Sequence, residues 1–460
     1  MRHQAWEDRR SPEGERVAVA YTAVPPGARP CPDVARPAAA SRRQVSAAAL
    51  RPHAAAVRYL RIYLVNLLGL AAALIGVNAL VDPFDIFGTR IPGINAVKDD
   101  AYNHMRLYKA VAVERVRPTA IVLGTSRSHF GLDPAHPGWS GGQGYNLSLF
   151  DGRIYEMRRY LQHAQATRPL QQVVLALDFF SFNGREKTKG DFDEGRLADD
   201  RRPWIVRRLP DLVDGLVSLD ALRSSLHTLR GQDDPCVPRA TAAGMHDDAA
   251  FICQARSVGQ RQMFRDSEAT FLAKHYDRYL LAYPDGTGSP LEDLRELVAF
   301  ARDADIDLRL LISPAHARQY EAIDLSRLWP AWEQWKRETV AILAADAAAH
   351  PGEQPFPLWD FSGYNSVTTE PVPDEGDAES RMRWYWDSSH YRRETGDLVL
   401  DRVLRHREVE RELPPDFGVL LTPGNLERHL RDIRDAQAAY RRARPGELQE
   451  IVELSTAEQR

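Results

Sequence analysis

The chain reads as an α/β protein, a parallel sheet flanked by helices, with a helical insertion and an N-terminal transmembrane helix. Three observations lead there. Short apolar runs that end at Gly, Ser or Asp alternate with segments of helical apolar spacing, the pattern of strand–helix–strand units. The stretch of about 184–284 loses that rhythm and is rich in charges, Gly and Pro, which marks an insertion. Residues 62–81 carry no charge. At about 1.5 Å per residue such a run is roughly 30 Å long as a helix, the thickness of a bilayer core.

Residues 1–55 are rich in Ala, Arg and Pro without a sustained apolar period. They cannot bury enough apolar surface to offset their ordering entropy and are expected to be disordered. The span at 60–82 follows, closed by Asp82-Pro83. Arg42, Arg43, Arg51, Arg58 and Arg61 precede it, and no acidic residue lies between Val34 and Val81. The positive-inside bias keeps the N-terminus in the cytoplasm and exports the rest, giving a single-pass bacterial inner-membrane protein with a periplasmic domain. A signal peptide cleaved near Val77-Asn78-Ala79 is the rival, with an unusually long basic region before it. Of the three cysteines, Cys31 falls on the cytoplasmic side. Cys236 and Cys253 fall in the exported part, either as a short-loop disulfide or as two unpaired small apolar residues.

The exported α/β domain is expected over 83–410. Its first strand is the run at 119–123, and a short one follows at 144–147. Ile154, Met157, Leu161 and Ala164 recur at helical spacing, and 172–177 is a third buried strand. Within the insertion, 270–281 reads as helical. The rhythm resumes at Ser289-Pro290-Leu291-Glu292, an N-cap, a first-turn Pro and a capping-box Glu. A strand at 307–312, a helix at 325–348, a strand at 356–361 and a helix at 394–404 complete the series. Residues 411–460 are expected to be a helical tail with one amphipathic helix near 425–442.

With 27% charged and 43% hydrophobic residues, a net charge of -4 and no basic stripe, the 460-residue chain gives no reason to expect a nucleic-acid partner. Its chemistry concentrates in two motifs. Gly124-Thr125-Ser126-Arg127 follows the first strand, and Asp387-Ser388-Ser389-His390 precedes the last helix of the domain. A strand ending in Gly-x-Ser exposes a hydroxyl on a tight turn, and an Asp three residues before a His sets a carboxylate beside an imidazole. Ser126, His390 and Asp387 are thus candidates for nucleophile, general base and orienting acid. The Ser126 N–H, the backbone around Gly144 and the Asn146 amide are candidates for the oxyanion donors. Arg127, Asp178, His316 and Trp386 are candidates for substrate binding, each with a turn, ion-pair or core role as the alternative. No metal-ligand spacing and no Gly-rich phosphate loop occurs, and no cofactor is called for.

These residues resemble the SGNH/GDSL hydrolase superfamily, in which a Ser follows the first strand and Asp-x-x-His precedes the last helix. The resemblance covers roughly 116–406 and implies a flavodoxin-like three-layer fold. More narrowly, Gly-Thr-Ser-Arg, Tyr-Asn-Leu-Ser and the single anchor are similar to envelope proteins of polysaccharide O-acetylation and teichoic-acid D-alanylation. That implies a serine esterase or O-acyltransferase acting on a cell-surface polysaccharide, with a multi-span membrane partner supplying acyl groups in the transferase case. Two departures stand out: Thr125 replaces the usual Asp, and Asp178-Phe179-Phe180 replaces Gly-x-Asn-Asp. The second leaves open a catalytically inactive, glycan-binding or scaffold role.

Overall fold

Runs such as Ala120-Ile121-Val122-Leu123 are apolar on both faces, so they are stable as strands only where helices cover both sides of a sheet. A computed structural model describes residues 51–140, 142, 144–198, 203–377, 379–408 and 411–458. Its six strands are β1 (Ala120–Leu123), β2 (Gly144–Asn146), β3 (Gln172–Leu177), β4 (Asp307–Ile312), β5 (Leu358–Asp360) and β6 (Val419–Leu421). They form one sheet in the order β2-β1-β3-β4-β5-β6, parallel except for β6, which pairs antiparallel with β5 at the edge. The five parallel strands follow the doubly wound order of flavodoxin-like sheets.

Alternate side chains feed two cores, as the twofold period of a strand requires. Ile121, Leu123, Val173, Leu175, Leu308 and Leu310 join helices Met105–Val116, Ile154–Thr167, Pro290–Asp303 and Trp329–Ala349 on one face. Val122, Val174, Ala176 and Leu311 join helix Arg393–Val403 with Phe264, Phe361 and Phe417 on the other. The chain leaves β1 toward β2 on one side and returns as β3 on the other. A crevice beyond the carboxyl ends of the strands is expected at that switch point, and Ser126 follows β1 directly.

Strands 172–177 and 307–312 match their expected bounds. Other elements differ. The helix expected at 325–348 is Trp329–Ala349, starting four residues later with Pro330 in its first turn, and a separate helix that was not expected, Ala317–Leu325, precedes it. Pro favours a helix start, and this signal was in the sequence. The helix expected at 270–281 lies upstream, over Gln260–Thr270, and within the expected range only a π-helical turn over Phe271–His275 continues it. The expected tail belongs to the domain, since Leu426, Leu430, Tyr440 and Ile451 are buried and Arg318 binds Glu450 at 2.8 Å. An amphipathic C-terminal helix reads as a tail until its apolar stripe is seen against the core.

Helix Arg51–Val81 includes 51–55, so that end of the segment expected to be disordered is helical. Its stretch Ala54–Val81 is long and apolar enough to cross a membrane. Residues 1–50, with Cys31, Arg42 and Arg43, lie outside the described residues. The insertion is helical in large part, with helices Trp204–Val217, Leu219–Arg230, Ala249–Val258 and Gln260–Thr270. A disulfide joins Cys236 to Cys253, with their Cα atoms 5.6 Å apart.

Candidate active site

The turn after β1 is shaped by close approach. A Cβ on Gly124 would run into Ser128 Oγ and the Ala176 side chain, so only Gly lets the strand pass this near β3. Thr125 caps the short helix Ser126–Gly131, accepting from Arg127 N at 3.3 Å. Its hydroxyl also donates to Asp178 Oδ2 at 2.7 Å, and Arg127 Nη1 donates to Asp178 Oδ1 at 2.8 Å. Asp178, at the end of β3, thereby holds the residues on both sides of Ser126. Ser126 itself is half-buried, and its N–H, the first of the helix, has no intrahelical acceptor.

Asp387 and His390 sit on a tight loop closed by a bridge between Tyr385 and Tyr391, with Trp386 N donating to His390 O at 2.9 Å. Asp387 Oδ1 accepts from the N–H groups of Ser389 at 2.7 Å and His390 at 2.8 Å. Asp387 Oδ2 lies 2.8 Å from His390 Nδ1, and His390 Nε2 lies 2.9 Å from Ser126 Oγ. With Nδ1–H donating to the carboxylate, Nε2 is left to accept the serine proton. Burial pushes the Asp387 carboxyl up, but the facing imidazole and three hydrogen bonds outweigh it and hold the group below its usual range. Asp387 therefore stays ionised, as the orienting member of such a chain must.

Two contacts bring this loop to the serine turn. Gly131 carries no Cβ where the Tyr391 ring lies, and Gly396 none where Gly131 O lies, so helices Ser126–Gly131 and Arg393–Val403 touch backbone to backbone. Arg127 Nε donates to Ser389 Oγ at 3.0 Å. The insertion supplies part of the surrounding wall. Phe251, on helix Ala249–Val258, lies 5.4 Å from the His390 ring and stacks on Trp386 at 5.5 Å. Phe130 meets His390 edge-on at 5.9 Å. Cys253, two residues after Phe251, ties this helix to the Cys236 loop.

Ser126, His390 and Asp387 are therefore brought together, whereas the expected oxyanion partners are not. Asn146 is fully buried, and its amide donates to Ser128 O and Leu132 O, both at 2.9 Å. Both of its protons are committed to carbonyls of the serine helix and its C-cap, which leaves neither directed at Ser126 Oγ. Gly144 pairs with Ala120, at the start of β1, which puts it at the opposite end of the strand from Ser126. Of the three expected donors only the Ser126 N–H stays at the hydroxyl.

The four expected substrate-binding residues are all buried. Arg127 and Asp178 form the buried pair already described, not a surface one. His316 is fully buried, with Nε2 on Glu370 O at 2.8 Å and Nδ1 accepting from Arg318 N at 3.3 Å. Burial pushes its pKa down to about 3, and its backbone N–H props Ser388 O at 3.0 Å. Trp386 is buried beneath Phe251, with the Arg392 guanidinium 4.4 Å from its ring.

Sequence reasoning missed the support under the serine helix. Lys109 Nζ, fully buried, bonds His129 Nδ1 at 3.0 Å, Asn146 O at 2.9 Å and Ser148 O at 2.6 Å. His129 Nε2 continues to His246 Nδ1 at 2.8 Å, in the insertion. The one available signal was His129 three residues after Ser126, on the same helix. No family model matches the chain, and no curated protein matches it.

Proposed function

We propose that the exported domain is an SGNH-type serine esterase or O-acyltransferase acting on ester groups of a cell-surface polysaccharide. The observation that carries this reading is the unbroken chain Ser126 Oγ–His390 Nε2–His390 Nδ1–Asp387 Oδ2, with links of 2.9 and 2.8 Å. In the first step His390 takes the Ser126 proton as Oγ bonds the acyl carbonyl carbon. The alcohol leaves with that proton, giving an acyl-serine. In the second step His390 takes a proton from water, for an esterase, or from a sugar hydroxyl, for a transferase. The new acid or ester departs and the serine recovers its proton. Asp387 holds the imidazole orientation and offsets its charge in each intermediate. The Ser126 N–H is one donor to the oxyanion. The polysaccharide, the multi-span acyl-supplying partner and the inward N-terminus come from the family resemblance and the flanking arginines.

A fluorophosphonate probe tests this on the full chain in detergent. Labelling of wild type and its loss in Ser126→Ala, with peptide mapping to Ser126, is the expected result. A wild-type chain that neither reacts nor hydrolyses aryl acetates leaves the scaffold reading, which the loss of Asn146 and Gly144 as oxyanion donors favours.

A further inference from the structure

Helix Trp204–Val217 is built inside out. Its buried face carries Arg208 and Asp211, paired at 3.0 Å, with Arg196 on Asp211 at 2.8 Å and Glu114 on Arg207 and Arg208 at 2.9 Å. Its neighbour Leu219–Arg230 buries Ser224, Ser225 and Thr228 beside Ala221. Leu212 packs half-buried on the cluster of Phe84, Ile86 and Leu107, but most apolar side chains point outward: Trp204, Ile205 and Leu209 are 53–56% exposed, Val213 49%, Leu226 44% and Leu219 76%. A helix in water shows the reverse order, apolar toward the protein and charge toward solvent. Apolar outside and paired charge inside is the arrangement of a surface that faces lipid.

This face adjoins the end of the apolar helix. Asn78, three residues before that helix ends, donates to Leu216 O at 3.0 Å and accepts from Ser225 Oγ at 2.9 Å. Length sets the depth of the junction. From Arg61 to Asn78 a helix rises only about 25 Å, some 5 Å less than a bilayer core of about 30 Å. The protein around Asn78, which is the turn of the Trp204–Arg230 hairpin, then lies at the acyl boundary. Interfacial helices bury their apolar faces about 5–10 Å into that zone.

We propose that the Trp204–Arg230 hairpin docks on the outer surface of the bilayer that the Ala54–Val81 helix crosses, a second attachment beside the anchor. The occupant is lipid: the hairpin face continues from a lipid-spanning helix, and with Arg223 and Arg230 balanced by the exposed Asp214 and Asp220 the attachment rests on the apolar side chains. The inference rests on the membrane-span reading of Ala54–Val81 and is independent of the esterase reading.

Nitroxide labels on the full chain in phosphatidylglycerol–phosphatidylethanolamine nanodiscs test it. Single cysteines replace Leu68, Leu209, Val213 and, as an aqueous reference, Gln334, in a Cys31→Ser background that leaves the disulfide in place. Collision with oxygen and with a polar nickel chelate is read at each site. At Leu68, Leu209 and Val213 the oxygen-to-nickel ratio should exceed that at Gln334 several-fold. Leu68 in lipid with Leu209 and Val213 matching Gln334 overturns the docking while leaving the anchor. Labels at Leu209 and Val213 shielded from both reagents mean that protein, a second copy or a partner, covers the face, which also overturns it. Leu68 in water removes the anchor and the docking together.

Discussion

Two serine clusters stand beyond the carboxyl edge of the same sheet, and in only one does an imidazole stand between the hydroxyl and the carboxylate, the order that the proposed chemistry needs. Ser362, two residues after β5, donates to Asp360 Oδ1 at 2.6 Å and receives Lys336 Nζ at 2.7 Å. Lys336 Nζ also lies 2.6 Å from Asp360 Oδ2, and His429 Nε2 lies 2.9 Å from the same oxygen. Burial opposes ionisation of Asp360, but the Lys336 ammonium and His429 overcome it and hold the carboxyl far below its usual range. Serine, base and acid are all present, yet the carboxylate touches the hydroxyl and the ammonium directly. No nitrogen is left to take the serine proton. At Ser126 the imidazole stands between hydroxyl and carboxylate, and the serine is half-buried where Ser362 is 5% exposed. The order of the groups, more than their identity, separates a catalytic arrangement from a structural one.

The largest break between the clusters should come from removing each hydroxyl. Ser126→Ala should lower aryl-acetate turnover on the order of 10⁴-fold or more, while Ser362→Ala leaves it near wild type. Initial rates on the purified full chain decide this, and a Ser362→Ala variant as inactive as Ser126→Ala would remove the contrast between the two clusters. Next in size is Lys336→Met, which leaves Asp360 without its buried ammonium and should cost about 3–5 kcal/mol of stability. Urea denaturation measures it; an unchanged midpoint would mean that the pair does not hold β5 in place.

Asn146→Ala sharpens the contrast between a strut and an oxyanion donor. A strut predicts a loss of about 1–3 kcal/mol in stability, with kcat within about tenfold. A donor predicts a fall in kcat of about 10²–10³ at full stability. The smallest effect is a pH dependence. Asp387 has a depressed folded value, so its stabilisation is complete above the unfolded value of about 3.9 and is lost as pH falls toward the folded one. Thermal midpoints between pH 5 and 3 should therefore fall more steeply in wild type than in Asp387→Asn. Parallel curves would show that the carboxylate is not stabilised by His390 and the loop N–H groups.

Much of the frame was legible in the linear order of residues. Strand 172–177 is a near-unbroken apolar run, strand 307–312 alternates charged and apolar residues before Leu310-Leu311-Ile312, and Ser289-Pro290 announced its helix through a cap and a first-turn Pro. The amphipathic helix expected near 425–442 stands at Leu426–Ala443, whereas the C-terminal strand was harder, because Val419–Leu421 is only three residues long and its antiparallel pairing with β5 has no local signature. The places of Asn146 and Gly144 were hidden for a similar reason, while the Ser126 N–H stands where it was expected. Asn146 stands next to a strand end either way, and only the positions of Ser128 O and Leu132 O reveal that its protons are spent. The outward apolar face of the 204–230 hairpin was equally silent, since helical periodicity marks a stripe without saying which side it faces.

By itself the sequence determined periods, caps and local chemistry: which runs can be strands, where a helix starts, that an Asp and a His share one turn. These depend on residues within a few positions of one another, where propensity and hydrogen bonding act directly. The tertiary structure decided what meets across distance. Ser126 and His390 are 264 positions apart, and their 2.9 Å contact exists because two glycines let their helices touch and Arg127 spans Asp178 and Ser389. Such contacts follow from packing and from the satisfaction of every buried polar group, and neither is a property of any one segment.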